Sequence, residues 1–486
     1  MNGGNLQKQN KLMKFGSSGV RGLASELVGR PSGLYTEGFA RRLRATGFQQ
    51  GKVFVGRDLR DSSRMIAEDC MAALAASGFQ PVDCGPIPTP ALAFYARLHG
   101  AAALMVTGSH IPADRNGIKF YGPKGEIDKA DEAAITQAVA ELSDQFPWPP
   151  NRADWEAGHE QALAAFRDRV GGILPPGALS GMRLGVYQHS SVAGELLVEV
   201  LRSLGADVIP VGKTEVFVPV DTEAVSPETM AKVKGWVREF KFDAVLSADA
   251  DADRPLVIDD KGELFRGDLI GLATALFLKA DTVVTPVTSN SGISDAFGFK
   301  VARTKVGSPF VIAGMQAARS AHGIVVGFEA NGGVLLGSDC LVNGKVLSAL
   351  PTRDSFLPIL AVLGTAASTG RSLSGLRESW SLPVCASERL ENFPVEKSRG
   401  LMRKLADRDA LQQFLSPFGT VADVDETDGL RARMTSGEII HLRPSGNAPE
   451  FRCYAEAASH DRAAEIVAMA LERARDSTLA DEAEAV

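Results

Sequence analysis

The chain has 486 residues, 45% of them hydrophobic and 23% charged, with a mean hydropathy of −0.01, a globular composition too long for one hydrophobic core and sized for roughly three or four domains. A net charge of −7 and a pI near 5.7 argue against a nucleic-acid binder, whose electrostatic footprint is basic. Five scattered cysteines, Cys70, Cys84, Cys340, Cys385 and Cys453, offer neither a disulfide framework nor a CxxC metal site and fit a reducing compartment.

The opening stretch MNGGNLQKQNKLMK is polar and lacks the apolar core of a secretory signal, so a cytoplasmic protein with a fraying N-terminus is expected. GSSGVRG at 16–22 has the wrong spacing for a dinucleotide fingerprint, and no GxxxxGK[ST] loop occurs. GKVFVGRD (51–58) reads as a strand. In the following helix Met65, Ile66, Cys70, Ala73 and Leu74 recur at helical spacing up to Gly78, and QPVDCG (80–85) reads as a second strand. The same grammar returns at 182–212, with Ala193, Leu196, Leu197, Val200 and Leu201 on the helix and a stop at Gly205. A looser copy runs from 281 to 333. Strands alternating with amphipathic helices predict three α/β domains with mostly parallel sheets.

Each copy closes on a strand that runs into a polar loop: ALMVTGSH, DAVLSADADADR and GIVVGFEANGG. In open α/β sheets ligands collect at the carboxyl ends of strands, so chemistry is expected there. Proline-rich FPWPP (146–150) and LPPG (174–177) bracket the passage from the first domain to the second. DLIGLATALFLKAD, from Asp268 to Asp281, is far short of the ~20 apolar residues of a membrane span and reads as a buried helix. The last hundred or so residues change character: GLRARM and EIIHLRPSGNAPEFRCYAEA read as strands joined by turns, and 459–475 as a helix with Ile466, Val467, Ala470 and Leu471 on one face, a small α+β domain.

A serine beside a histidine, Ser109–His110, suggests a hydrolase, but a nucleophile elbow needs glycines two residues on either side, where Thr107 and Ile111 stand. On this loop alone a functional serine and a plain polar turn formed by Pro112 and Asn116 stand level. The second loop carries more. Asp249, Asp251 and Asp253 alternate, so in extended chain their carboxylates project to one side and repel unless a cation holds them. An EF-hand counted from Asp249 needs glycine sixth and glutamate twelfth and finds Arg254 and Asp260, which excludes that calcium loop. Magnesium, which takes a few carboxylates plus a phosphate oxygen, is the expected ion, in preference to a solvated acidic turn.

Five segments, KFGSSGVRG, VTGSHIPADRNGIKFYG, ADADADRPLVID, GFEANGG and RPSGNAPEFRCYAEA, in this order between Lys14 and Ala457, resemble the signatures of the α-D-phosphohexomutase superfamily, the phosphomannomutases and phosphoglucomutases. The resemblance implies three similar α/β domains and a C-terminal α+β domain around a central cleft. The expected boundaries are 1–150 with the phosphoserine loop, 151–264 with the magnesium loop, 265–378 with the sugar loop and 379–486 with the distal phosphate loop. It implies a cytoplasmic isomerase acting on small hexose phosphates, with no nucleic-acid or membrane partner. Its cofactors are one Mg2+ per chain and hexose 1,6-bisphosphate as activator.

By this resemblance Ser109 carries the phosphoryl group and joins Asp249, Asp251 and Asp253 around the metal. Arg21 and Arg254 clamp the moving group, Lys119 accepts the sugar proton with a pKa lowered by a cationic cleft, and His110 orients the loop. Glu329 and Asn331, with Thr304, Lys305, Gly307 and Ser308, meet the sugar. Arg443, Ser445, Gly446, Asn447 and Arg452 cradle the distal phosphate. The sugar loop departs from the common Glu-x-Ser-Gly-His: Asn331 replaces the serine and Gly333 the histidine. The distal loop has SGNAP in place of SGTEP, and a lysine common after the first strand of the third domain is Thr288 or Ser289. These departures bear on which sugar is used. A phosphoglucosamine mutase, a non-catalytic sugar-phosphate-binding relative and a phosphatase are the alternatives, and no oligomeric state is read from the chain.

Overall fold

A computed structural model describes residues 13–16, 19–142, 146–148, 154–319, 323–445 and 449–484. Residues 1–12 of the stretch expected to fray, with Gly446 and Asn447, lie outside the described residues, but its last two residues do not fray: Met13 is buried in the core and Lys14 pairs with Arg21 in an antiparallel bridge. Packing divides the chain into two units, the described residues up to Val283 with Gly307–Ser379, and Val284–Val306 with the described residues from Trp380 onward.

In the first unit, strands Lys52–Arg57, Gln80–Pro86 and Ala102–Val106 pair in parallel, with Lys52–Arg57 in the middle. Helices Asp61–Ala76 and Thr89–Leu98 supply the crossovers. Gly78, at φ +80°, ends the first of them where the sequence predicts a stop. Ala102–Val106 is buried along its whole length because strands flank both its edges and helices Asp61–Ala76 and Thr89–Leu98 pack against it; Leu104, Met105 and Val106 each contribute about 1.5–3 kcal/mol by leaving water. On its free edge lies Arg115–Gly122, antiparallel, with Lys119 opposite Met105 and Ile118 opposite Val106. Arg115–Gly122 in turn pairs with Val20–Leu23, so Arg21 faces Gly117. This register brings Arg21, Lys119 and the loop after Val106 to one end of the sheet.

A second sheet in this unit runs Asp207–Val211, Arg183–Tyr187, Ala244–Ala248 and Pro255–Asp259, the first two pairings parallel and the last antiparallel. The acidic loop is the connection between its last two strands. A third set, Val325–Phe328, Val334–Leu336 and Leu350–Asp354, pairs antiparallel. The expected buried helix is Gly267–Phe277, packed on Phe356–Thr369, itself buried through most of its length. Among the described residues no helix is long and apolar enough to cross a membrane.

The second unit holds an antiparallel five-stranded sheet in the order Val384–Leu390, Phe451–Ala457, Ile439–Pro444, Leu430–Met434, Val421–Asp425. Helix His460–Glu484 covers it, and Ile466, Val467, Ala470 and Leu471 join Phe451, Cys453 and Leu442 in one core. This is the predicted α+β domain.

Candidate active site

The serine loop leaves strand Ala102–Val106 with Thr107 N donating to Gly117 O (3.0 Å). Ser109 is fully buried and sits at φ +53°, a left-handed conformation that serine adopts only when its surroundings impose it. They do so through Asp58 and Arg60, both buried. Asp58 accepts from Thr107 Oγ1 (2.8 Å), Ser63 Oγ (2.5 Å) and Arg60 Nε (3.1 Å), while Thr107 Oγ1 accepts from Ser109 N (2.7 Å). The Arg60 guanidinium donates to the carbonyls of Ser109 (2.8 Å), Ile111 (2.7 Å) and Pro112 (3.0 Å) and lies over the Phe217 ring, 4.0 Å from its centroid. Gly108 is glycine because a Cβ there would stand 2.6 Å from that guanidinium.

Held this way, Ser109 Oγ donates to Asp249 Oδ2 at 2.5 Å and touches His110 Nδ1 at 3.1 Å. Burial, with Arg254 and Arg21 nearby, drives the His110 pKa far below its usual value, so the ring is neutral. That suits an orienting role for His110.

The acidic loop converges by a route other than the expected one. Asp249, Asp251 and Asp253 lie in a turn between Ala244–Ala248 and Pro255–Asp259, with Ala252 at φ +61°, and not along an extended strand. Backbone amides of Asp253 and Arg254 donate to Asp249 Oδ1 at 3.1 Å each and close the turn around that carboxylate. One ligand oxygen from each of the three buried aspartates lies within 4.8 Å of the others. Asp251 Oδ1 and Asp253 Oδ1 accept no hydrogen bond from the described residues. Three buried carboxylates, two of them with an orphaned oxygen, are the donor set of a hard divalent cation, and the residues present fit one.

Lys119 departs from expectation. Its ammonium is buried and donates to Asp251 Oδ2 and Asp253 Oδ2, both at 2.5 Å. Burial disfavours the charge, but the two carboxylates outweigh it and hold the pKa above the ordinary lysine value, not below it. The sequence reading counted the arginines of the cleft and missed that the carboxylates are nearer. Burial and the neighbouring carboxylates push Asp249 far above the usual range; burial also opposes ionisation of Asp253, but Arg353, Lys119 and Arg254 outweigh it and hold that carboxyl low. Arg21 is pushed down to about 10 by burial and by Arg254 and Arg353.

The other expected residues divide between the two units. Glu329 is buried in the first unit, and Asn331 Oδ1 accepts from Gly333 N (3.0 Å), so that amide shapes its own loop. Gly307 caps helix Ser308–Ala318, and Ser308 Oγ donates to Glu126 Oε2 (3.3 Å). In the second unit Thr304 Oγ1 donates to Lys305 O (2.9 Å) and Lys305 is exposed. There Arg443 pairs with Asp428 (3.3 Å) and Arg452 with Glu450 (2.8 Å), while Ser445 N donates to Glu450 O (2.9 Å).

Sequence reasoning missed Asp58, Arg60, Thr89 and Arg353. Thr89 Oγ1 donates to Asp251 Oδ2 (2.6 Å), and Arg353 Nη2 pairs with Asp253 Oδ2 (2.7 Å). The one local signal was the charged end of the first predicted strand, GRDLR, where a solvated turn is the ordinary reading.

Four domain families match in chain order: phosphoglucomutase/phosphomannomutase alpha/beta/alpha domain I at 12–146, domain II at 174–262, domain III at 267–382 and the C-terminal domain at 390–473. The chain belongs to the phosphoglucomutase/phosphomannomutase family. A phosphomannomutase of Sinorhizobium fredii is 51% identical over 463 residues, covering 94% of this chain and 98% of its own. A phosphoglucosamine mutase of Magnetococcus marinus is 29% identical, covering 94% and 89%. The crystal structure of a phosphoglucomutase/phosphomannomutase family protein from Burkholderia thailandensis superposes with a TM-score of 0.74 at 20% identity, over 95% of this chain and 97% of that one. The four-domain α/β architecture expected from the sequence is that of this family.

Proposed function

We propose that this chain is a phosphohexomutase that interconverts hexose 6-phosphates and hexose 1-phosphates, mannose and glucose being the sugars, through phosphorylated Ser109 and a hexose 1,6-bisphosphate intermediate. The observation that carries this reading is the 2.5 Å approach of Ser109 Oγ to Asp249 within a buried three-carboxylate cluster. The likeness to a phosphomannomutase at 51% identity, against 29% for a phosphoglucosamine mutase, supports mannose over glucosamine.

In the first transfer the bond from phosphorus to the serine oxygen breaks as a sugar hydroxyl oxygen bonds to phosphorus; the hydroxyl gives up its proton and the serine oxygen gains one. The second transfer reverses this at the other end of the turned sugar. Asp249, Asp251 and Asp253, with an oxygen of Ser109, are the proposed holders of one Mg2+. When bound, the ion compensates charge on the moving phosphoryl oxygens. Arg254, buried, and Arg21, half-buried, cations that act electrostatically on the cluster, are the proposed clamps. Lys119 is the proposed proton acceptor, a part it can take only when Asp251 and Asp253 are otherwise neutralised. The loop held by Asp58 and Arg60 keeps Ser109 in place between transfers.

Glu329, Asn331, Thr304, Lys305, Gly307 and Ser308 are proposed to meet the sugar. Arg443, Ser445 and Arg452, with Gly446 and Asn447, are proposed to meet the distal phosphate. The division at 1–150, 151–264, 265–378 and 379–486 is proposed as the functional one, with hexose 1,6-bisphosphate as activator and a cytoplasmic setting. A coupled assay on mannose, glucose and glucosamine 1-phosphates with a trace of hexose 1,6-bisphosphate, run beside Ser109→Ala, tests the reading. Turnover on mannose or glucose, lost in a folded Ser109→Ala, is expected; undiminished turnover in that variant removes the carrier role.

A further inference from the structure

Arg353 belongs to strand Leu350–Asp354 and is among the largest fully buried side chains. Its guanidinium reaches two loops that the sequence keeps apart. Nε donates to Asp253 Oδ2 at 3.0 Å and Nη2 pairs with the same oxygen at 2.7 Å. Nη1 reaches Glu329 Oε2 at 3.4 Å. Both carboxylates are themselves buried, so neither has water as an alternative partner.

The stem of Arg353 passes Gly333. A Cβ on Gly333 would stand 2.5 Å from Arg353 Cδ and 2.8 Å from Cγ, closer than carbon atoms approach without displacement. Gly333 does not have a positive φ, unlike Gly332 before it, so its backbone does not require glycine. What requires glycine is the arm of Arg353, which has no room to yield because its head is fixed on two carboxylates. The turn around it is closed by Glu329 N donating to Gly333 O (3.1 Å) and Gly332 N to Glu329 O (3.0 Å), so displacing the arm displaces the glutamate.

We propose that Arg353 is a positioning residue for sugar recognition: its guanidinium bridges Asp253 of the acidic loop and Glu329 of the sugar loop, and Gly333 is the position that admits its stem. The inference rests on the phosphohexomutase reading and adds the group that sets Glu329. A planar fork joins two carboxylates at fixed angles, which a lysine ammonium, a point charge on a flexible stem, does not reproduce.

The test is a kinetic cycle on hexose 1-phosphate with wild type, Arg353→Ala, Glu329→Gln, their double variant, Arg353→Lys, and Gly333→Ala alone and combined with Arg353→Ala, each checked for folding by its melting midpoint. Misplacing Glu329 is expected to raise KM about tenfold or more and to lower kcat/KM by roughly 10²-fold in Arg353→Ala and in Glu329→Gln. The double variant is expected to lose no more than the worse single one, because both remove one unit. Arg353→Lys is expected not to restore KM. Gly333→Ala is expected to raise KM in the wild type and to add nothing to Arg353→Ala. If Arg353→Ala does not fold, Arg353→Lys and Gly333→Ala, which keep the pocket filled, decide by the same rise in KM. Losses that multiply in the double variant, an unchanged KM in Arg353→Ala, or wild-type kinetics in Arg353→Lys overturn the inference alone. A wild type silent on every hexose 1-phosphate overturns the functional reading, and the inference with it.

Discussion

Replacing Arg60 by methionine keeps most of the arm's apolar volume and deletes every bond its guanidinium makes. The side chain is 1% exposed and its partner Asp58 is 0% exposed, so solvent screens neither. Four acceptors lose a donor at once: Asp58 Oδ2 and the carbonyls of Ser109, Ile111 and Pro112. Breaking a buried ion pair from one side costs about 3–5 kcal/mol, because the carboxylate left behind is uncompensated. Asp58 keeps Thr107, Ser63 and two backbone amides as donors, which puts the expected loss at the lower end, about 3 kcal/mol. The melting midpoint of the first domain should fall on the order of 10 °C. Catalysis should suffer separately. Ser109 occupies its left-handed conformation only because this network imposes it, and a 1 Å displacement of a reacting group costs roughly 10²-fold. Urea unfolding gives the first quantity, and kcat under saturating hexose 1-phosphate, well below the variant's midpoint, gives the second. A variant that unfolds within about 1 kcal/mol of wild type, or that is destabilised yet keeps full kcat, would refute the argument that Arg60 holds the serine loop.

Two further predictions concern protons and metal. His441 is buried, its Nε2 donates to Asp428 O (2.6 Å), and burial, with Arg443 and Arg431 nearby, pushes its pKa down to about 4. A base with a depressed folded pKa contributes full stability above its unfolded value of about 6.5 and loses it as pH falls toward 4, here on the order of 3 kcal/mol for the C-terminal domain. Urea midpoints at pH 7 and pH 4.5 should diverge more in wild type than in His441→Gln, and equal slopes would contradict the assignment. Dialysis against a chelator should abolish turnover and Mg2+ should restore it. Mg2+ at about a hundred times its dissociation constant should also stabilise the fold by about 2.7 kcal/mol, a shift lost in Asp253→Asn. Turnover indifferent to chelation would remove the metal from the reading.

The alternation of strand and helix was legible in the chain because side-chain periodicity and glycine stops are local properties, as at Asp61–Ala76 and Gly78. The clustering of the three aspartates was legible too, since like charges at that spacing point to a shared cation, whereas a part for Ser109 came only from the resemblance of five segments to a known family. The environment of these groups was not legible. Lys119 counts as a lysine among arginines until packing sets Asp251 and Asp253 against its ammonium, and the convergence expected from alternation along an extended strand is reached instead through a turn at Ala252. Arg353 lies a hundred positions from Asp253, and Ser109 140 from Asp249. Only the packing of separate sheets brings them within bonding distance, because such contacts depend on where whole strands end in space, and no local propensity encodes that.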